Sequence, residues 1–168
     1  MVDKIVKYTN IFINKKRLGR EATSTTEVRA RDYRDTTRGE ILALFGALLL
    51  MALKRGNRAD LTEFFNKNGT GLTILRTNFS ENRFRFLLRS LRFDNINTRT
   101  QRSKTDKLAP IRDFLTKFIS NCQNSYSLGE CTTIDEMLVA FRGHCSFIQY
   151  MAKKPAKYGM KIYVLCDA

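Results

Sequence analysis

Apolar residues recur at helical spacing over the first 125 residues of this chain and at strand-like spacing from residue 132 onward. The first part predicts helices near residues 2–18, 38–54, 60–65, 81–91 and 110–122. The second part predicts strands near residues 132–141, 146–151 and 160–166. Both alternating sets of the first predicted strand are largely apolar, so we expect it to be covered on both faces, as in the centre of an α/β sheet. The fold class is therefore α+β, with helices over residues 1–128 and strands over 129–168.

Local sequence signals predict helix starts at three positions. Ser24 with Glu27, and Thr37 with Glu40, have the spacing of a capping box, in which side chains satisfy the free N–H groups of a first helical turn. Ser80 is predicted to cap the helix that follows it. The polar stretch from residue 94 to 105 lacks apolar periodicity and is predicted to be a loop.

The predicted helix after Ser80 carries two stripes of different chemistry. Its apolar stripe has the helical spacing i, i+3, i+4, i+7 and consists of Phe84, Leu87, Leu88 and Leu91. A basic stripe on another face consists of Arg85, Arg89 and Arg92. Further basic residues follow it in the predicted loop, namely Arg99, Arg102 and Lys104. These six are candidates for contacts with phosphate groups, and the alternative is a basic helix face that only faces solvent.

The charge of the chain favours polyanionic partners. Its 168 residues contain 30 Lys and Arg against 16 Asp and Glu, a formal net charge of +14. The excess lies mostly between residues 54 and 112, which hold fourteen basic and five acidic residues, whereas residues 113–168 hold six and five. Such an excess is typical of proteins that bind nucleic acid or acidic membranes.

Two other classes of protein are disfavoured by the sequence. The longest uncharged apolar run, residues 41–53, is shorter than the roughly 20 residues that span a bilayer, so no membrane partner is expected. The four cysteines form no C-x-x-C pair and the chain has one histidine, which argues against a zinc site. No pattern for binding a small-molecule substrate is present.

Asp135 lies inside the otherwise apolar pattern of the first predicted strand, in the segment T-I-D-E, where Glu136 follows it. A carboxylate in a covered strand is costly unless something pairs with it. Three explanations are open: an ion pair with Lys or Arg, a position near water at a strand end, or a metal ion.

The order of several segments resembles the piggyBac family of transposases. These segments are TTRGEILALFGALLLMAL, NFSENRFRFLLRSLRFDN, KLAPIRDFLTKFI, TIDE and KPAKYG. The resemblance implies that residues 129–168 form the first strands of an incomplete ribonuclease-H-like domain, and that residues 1–128 form a helical region for DNA binding and dimerisation. It also implies that Asp135 is the first acidic ligand of a two-Mg²⁺ site, which gives it a catalytic and a metal-binding role.

The resemblance carries further expectations about the acidic and basic residues near the strands. The family's remaining catalytic acids do not follow in this chain, so we expect it to be a truncated transposase that is inactive alone and holds Mg²⁺ weakly. Glu136 is expected to form an ion pair or to orient a neighbour, and Asp167 is not expected to be catalytic. Basic residues around the strands would contact phosphates, the alternative being a solvated hairpin rim: Arg142, Lys153, Lys154 and Lys157.

The expected partners are therefore double-stranded DNA and a second copy of the chain in a homodimer, and the expected location is the nucleus. Two alternative functions stay open. The chain is the N-terminal part of an intact Mg²⁺-dependent transposase, or it is a protein-interaction remnant without DNA affinity, because incomplete sheets expose edges that pair with other chains.

Overall fold

A computed structural model of the protein describes residues 1–21, 33–54 and 59–167. In these ranges seven helices precede three strands, so the α+β class is confirmed. The helices are α1 (Val2–Glu21), α2 (Arg38–Leu53), α3 (Leu61–Phe64), α4 (Thr73–Asn78), α5 (Glu81–Ser90), α6 (Ile96–Arg102) and α7 (Arg112–Ser125). The strands are β1 (Thr132–Ala140), β2 (Gln149–Tyr150) and β3 (Tyr158–Asp167). The capping box predicted at Ser24 and Glu27 lies outside the described residues.

The chain divides into two compact units, Met1–Arg102 and Ser103–Ala168. The sequence places its boundary later, between residues 128 and 129, where helices give way to strands. The last helix, α7, belongs to the second unit, and two hydrogen bonds from the segment after α7 reach the end of β3. The assignment of separate functions to residues 1–128 and 129–168 stays a prediction.

The core of the first unit forms around α5. Phe84 and Leu87 are fully buried against residues of α2, α3 and α4, among them Leu44, Phe64 and Leu75. The ring of Phe79, which precedes α5, lies 5.6 Å from the ring of Phe84 and meets it edge to face. A residue before the N-cap that packs on the fourth residue of a helix is a hydrophobic staple, and it fixes the angle at which the chain enters the helix.

The caps predicted at Thr37 and Ser80 are confirmed. The Thr37 hydroxyl accepts a hydrogen bond from the Glu40 backbone N–H at 3.2 Å, and the Ser80 hydroxyl accepts one from the Arg83 backbone N–H at 3.2 Å. The Glu40 carboxylate instead pairs with the Arg83 guanidinium at 2.6 Å. The two side chains are 12% and 5% exposed, so this buried ion pair joins the first turn of α2 to the first turn of α5.

The loop predicted from residue 94 to 105 is wrong, because its first part forms α6. The Asn95 side-chain oxygen accepts the backbone N–H of Asn97 at 3.0 Å, as at a helix N-terminus. The Asp94 carboxylate, 6% exposed, accepts hydrogen bonds from Arg99 and from Arg102, the latter at 2.5 Å. Pairing within the segment thus holds a helix that has no apolar stripe of its own.

The three strands form an antiparallel sheet in the order β1-β3-β2. Asp135 lies opposite Val164, and Glu136 lies opposite Tyr163. The expectation that β1 is covered on both faces is wrong for this structure. Ile134 on one face is 73% exposed and Met137 on the other is 52% exposed, so the described residues supply no covering layer for either side chain.

None of the described helices has the length and apolarity of a membrane span.

Candidate functional site

Asp135 lies in the middle of β1 with its carboxylate exposed to solvent. One carboxylate oxygen accepts a hydrogen bond from the backbone N–H of the next residue, Glu136, at 2.6 Å. The described residues give it no ion pair. Of the three explanations that the sequence leaves open, an ion pair within these residues is therefore excluded, and the carboxylate is accessible from outside.

The Glu136 side chain lies on the face of the sheet opposite to Asp135, because the side chains of successive strand residues point to alternate faces. Its carboxylate pairs with the Lys161 ammonium group on β3 at 2.5 Å, which raises the pKa of Lys161. The ion-pairing role expected for Glu136 is confirmed. The Lys154 ammonium group, half-buried, donates to the Glu136 backbone carbonyl at 3.2 Å.

Asp167 fastens the end of β3 to the segment after α7. The Tyr126 hydroxyl donates to one carboxylate oxygen at 2.6 Å, and the Gly129 backbone N–H donates to the other at 2.9 Å. The Tyr126 bond, followed by the Gly129 bond, lowers the pKa of Asp167, and the same contact raises the pKa of Tyr126. Both carboxylate oxygens of Asp167 therefore accept hydrogen bonds that join β3 to the segment after α7.

The described residues do not assemble a magnesium site around Asp135. Asp167 lies opposite Thr132, three residues along β1 from Asp135, which is a distance of about 10 Å at the rise of a strand. An offset of three also places Asp167 on the other face of the sheet. Among the described residues no group of three or more His, Cys, Asp or Glu side chains could hold a metal ion. Mg²⁺ needs six oxygen ligands, of which these residues bring one carboxylate.

Arg85, predicted to contact phosphate, has partners within the first unit. Its guanidinium donates to the Glu81 carboxylate at 2.8 Å, one helical turn earlier, and to the Thr62 hydroxyl at 3.0 Å. The Asp60 carboxylate lies 3.7 Å away. These contacts hold Arg85 against α3 and compensate its charge.

Arg92 is engaged with the fold in another way. Its guanidinium carbon lies 3.7 Å from the centre of the Phe12 ring, a cation–π contact that joins the end of α5 to α1. One of its terminal nitrogens donates to the backbone carbonyls of Arg89 and Leu91, at 2.9 and 2.7 Å. Burial, and then the neighbouring Arg99, lowers the pKa of Arg92. Its contribution is to the packing of helices.

Ten basic side chains are predicted from the sequence to contact phosphate, and they fall into two groups. Five have partners in the structure: Arg85, Arg92, Arg99, Arg102 and Lys154. The other five are exposed, and their side chains make no hydrogen bond or ion pair within the described residues: Arg89, Lys104, Arg142, Lys153 and Lys157. The structure does not test whether either group binds DNA.

Two features near these residues escape the sequence analysis. Lys16 lies 5.7 Å from the Phe12 ring that Arg92 covers, so the basic end of α1 and the end of α5 meet at one aromatic side chain. Phe141 and Tyr158 line one groove, although seventeen residues separate them in the chain. Both features depend on contacts distant in sequence, which no local pattern records.

Two comparisons with known proteins define the class. The family described as Transposase IS4 matches residues 1–168. A cryo-EM structure, described as a piggyBac transposase synaptic complex with hairpin DNA, matches with a TM-score of 0.84 and 36% sequence identity. The match covers 100% of this chain and 33% of that chain.

The chain belongs to the Transposase IS4 family, and within it to the piggyBac type. The resemblance drawn from the sequence segments is thereby confirmed. The chain spans about a third of the length of the transposase that it matches, 33%.

Proposed function

We propose that this chain is a piggyBac-type transposase module that binds double-stranded DNA through backbone phosphates. The observation that carries this proposal is a set of exposed basic side chains that have no hydrogen-bond or ion-pair partner among the described residues, in a chain of net charge +14. Cations that are not neutralised within the protein are available to replace the counterions of DNA. The similar transposase is described in complex with hairpin DNA, which supports a nucleic-acid partner for this chain too.

The unpartnered cations are proposed to make the phosphate contacts, and the partnered ones to hold the fold. A phosphate contact fixes the position of a protein on DNA without reading its sequence. The residues whose loss should weaken binding to any duplex are therefore Arg89, Lys104, Arg142, Lys153 and Lys157. Arg85, Arg99 and Arg102 already have carboxylate partners, so their loss should act first on stability.

We further propose that these 168 residues do not cleave or join DNA strands by themselves. Transposases of this kind use divalent metal ions, and the resemblance makes Asp135 one acidic ligand. The other ligands would have to come from outside the described residues, because Asp167 lies on the opposite face and is bound to Tyr126. In the alternative proposal, the 168 residues are the N-terminal part of an intact Mg²⁺-dependent transposase that supplies those ligands.

A protein-interaction function is a second candidate, favoured by the sheet. Ile134 and Tyr163 are 73% and 68% exposed, and β1 is an edge strand of nine residues. Exposed apolar strands at an edge pair readily with other chains. Homodimerisation belongs to the same set of proposals, and a nuclear location follows from the proposed DNA partner.

The test is fluorescence anisotropy of a labelled duplex titrated with the 168-residue chain over a series of salt concentrations. Circular dichroism on the same samples checks that the chain is folded. We expect binding that weakens steeply with salt. For each phosphate contact, the logarithm of the binding constant should fall by about 0.9 for every tenfold increase in salt concentration. A folded chain that does not bind at low salt would refute the DNA proposal. Sedimentation without DNA then decides whether self-association remains.

A further inference from the structure

The register of the sheet shows which backbone groups of β1 face its free edge. β1 pairs with β3 on one side, and the described residues place no strand on its other side. The Phe141 backbone N–H donates to the Tyr158 carbonyl at 3.4 Å, and these two residues extend the register in which Ala140 faces Gly159. Hydrogen-bonded and non-hydrogen-bonded pairs alternate in an antiparallel sheet. The backbone groups of Glu136, an odd number of residues before Phe141, therefore point away from β3.

Both backbone groups of Glu136 on this edge are occupied by side chains. The Glu136 N–H donates to the Asp135 carboxylate at 2.6 Å, and the Glu136 carbonyl accepts from the Lys154 ammonium group at 3.2 Å. A strand added to this edge would need the same N–H and the same carbonyl for its own hydrogen bonds. The edge is therefore interrupted at the middle of the nine residues Thr132–Ala140.

Lys154 is held in place by the loop that carries it. The Met151 backbone N–H donates to the Lys157 carbonyl at 2.8 Å and closes the loop, and the Lys154 N–H donates to the Met151 carbonyl at 3.1 Å. Pro155 follows, and its ring restricts the backbone of the residue before it. Lys154 is half-buried, whereas Lys153 and Lys157 are exposed. The loop thus directs one of its three lysines to β1.

The sequence of β1 is of a kind that pairs with copies of itself. Residues 137–141 are apolar, uncharged and without proline, and the charged residues Glu136 and Arg142 flank them. Both faces of β1 are exposed, at Ile134 and at Met137. Short apolar windows of this kind associate with identical windows when they are accessible. Proteins protect such edges with charged side chains, especially lysine.

We propose that Lys154 and Asp135 block the free edge of β1 from pairing with a second copy of the chain. Two copies of β1 can pair antiparallel about Glu136, because a two-fold axis matches each residue with its counterpart. That pairing would bring the two Lys154 ammonium groups together and break the hydrogen bonds that they make. The proposal is independent of DNA binding, and it qualifies the interaction candidate, since pairing at β1 requires both side chains to leave Glu136.

The test is amide hydrogen exchange, measured by NMR on the full 168-residue chain at a low and a high concentration. The N–H groups of Ile134 and Leu138 face the free edge, as that of Glu136 does, and report directly on a strand added there. In the unmodified chain we expect both amides to exchange rapidly at either concentration. In Lys154→Met we expect their exchange at the high concentration to slow by about tenfold or more, because the Glu136 carbonyl is released and the charge is lost.

Three further variants locate the effect. Lys154→Arg keeps the charge and the donor, so it should behave as the unmodified chain does. Lys153→Met removes the same charge from an exposed neighbour in the loop, and should also leave the two amides in fast exchange. Asp135→Ala releases the Glu136 N–H and leaves Lys154 in place, so it should slow the exchange, but less than Lys154→Met does. It supplies the same test if Lys154→Met does not fold.

Two results would overturn the proposal. Slow, concentration-dependent exchange of Ile134 and Leu138 in the unmodified chain would mean that the edge pairs despite Lys154, and this result needs no variant. Fast exchange of both amides in Lys154→Met, in a sample that circular dichroism shows to be folded, would mean that Lys154 does not block the edge. Either result leaves the proposed DNA binding standing, because anisotropy with a duplex tests that function separately.

Discussion

The two compact units differ in how they use their basic side chains. In the unit Met1–Arg102 the arginines are mostly paired with carboxylates: Arg17 with Asp35, Arg34 and Arg83 with Glu40, Arg38 with Asp3, Arg85 with Glu81, and Arg99 and Arg102 with Asp94. In the unit Ser103–Ala168 a stretch of thirty residues, 137–166, lacks acids, and Arg142, Lys153 and Lys157 make no ion pair with any residue that the structure describes.

A count of charges would place the DNA-binding surface in residues 54–112, but the pairing of the cations favours residues 113–168. Residues 54–112 have the larger excess of basic residues, but many of their cations have partners or pack on aromatic rings. Residues 113–168 are nearly neutral in sum, but none of their acids falls in the stretch 137–166, which contains Arg142, Lys153 and Lys157. In the proposed function, the charge available to DNA therefore depends on pairing, which the net charge of a segment does not report.

The largest effect is expected at the buried ion pair of the first unit. Arg83→Ala leaves the Glu40 carboxylate buried without its main partner, and should lower the free energy of unfolding by about 3–5 kcal/mol. Urea denaturation measures it. The matched control is Arg85→Ala, which breaks a partly exposed pair and should cost about 0–1 kcal/mol. Equal losses in the two variants would mean that burial does not distinguish these pairs.

A smaller effect separates two neighbours on α5. Arg92→Gln removes the cation from the Phe12 ring and two hydrogen bonds to carbonyls, so it should lower the free energy of unfolding by about 1–2 kcal/mol. Arg89→Gln removes an exposed side chain that has no partner in the described part of the chain, so it should leave stability unchanged while weakening DNA binding. Thermal denaturation and anisotropy of the same two variants check both statements. A loss of stability confined to Arg89→Gln would reverse the assignment.

Acid should weaken the first unit through Glu40. Burial raises the pKa of this carboxyl, but hydrogen bonds from Arg83 and Thr36 outweigh burial and leave the pKa below its ordinary value. A carboxyl with a lowered pKa in the folded state contributes stability above its unfolded pKa, and this contribution is lost as the pH falls through the folded pKa. Unfolding measured between pH 7 and pH 3 should show this loss, and the variant Glu40→Gln should show less of it.

The smallest effect concerns the clip at the end of β3. Tyr126→Phe removes the hydroxyl that donates to Asp167, so the pKa of Asp167 should rise toward its ordinary value, since that bond is the main cause of its lowering. The carboxyl carbon signal of Asp167 in an NMR titration reports the change directly. An unchanged titration would mean that the Gly129 N–H alone sets this pKa.

Local features of the fold are predictable from the sequence, and distant contacts are not. Thr37 and Ser80 are recognisable as helix caps because the backbone N–H groups that they accept from lie only three residues further along the chain. The helix α6 escapes prediction because Arg99 and Arg102, which look like loop residues, meet Asp94 only once the helix has formed. Arg92 looks like part of a basic stripe, since nothing near it in sequence points to Phe12, eighty residues earlier.

The candidate site follows the same rule. The segment T-I-D-E identifies Asp135 and the family, and strand alternation places Glu136 on the opposite face. The exposure of both faces of β1 depends on which elements pack on the sheet, and the meeting of Phe141 with Tyr158 depends on strand pairing. No local pattern in the sequence specifies either. The sequence therefore identifies the residues of the candidate site but does not predict which of their side chains are exposed and unpaired.

The central claim is that unpaired cations, and not the total charge, bind DNA. The most direct test is the salt dependence of duplex binding for two triple variants that remove the same charge. One variant, with Arg142→Gln, Lys153→Gln and Lys157→Gln, removes cations that are unpaired among the described residues. The other, with Arg38→Gln, Arg85→Gln and Arg112→Gln, removes cations that are paired with acids. The first variant should lose up to about 2.7 units of the logarithmic salt slope, and the second should keep the slope of the unmodified chain. Equal losses in both would contradict the account, because net charge alone would then explain binding.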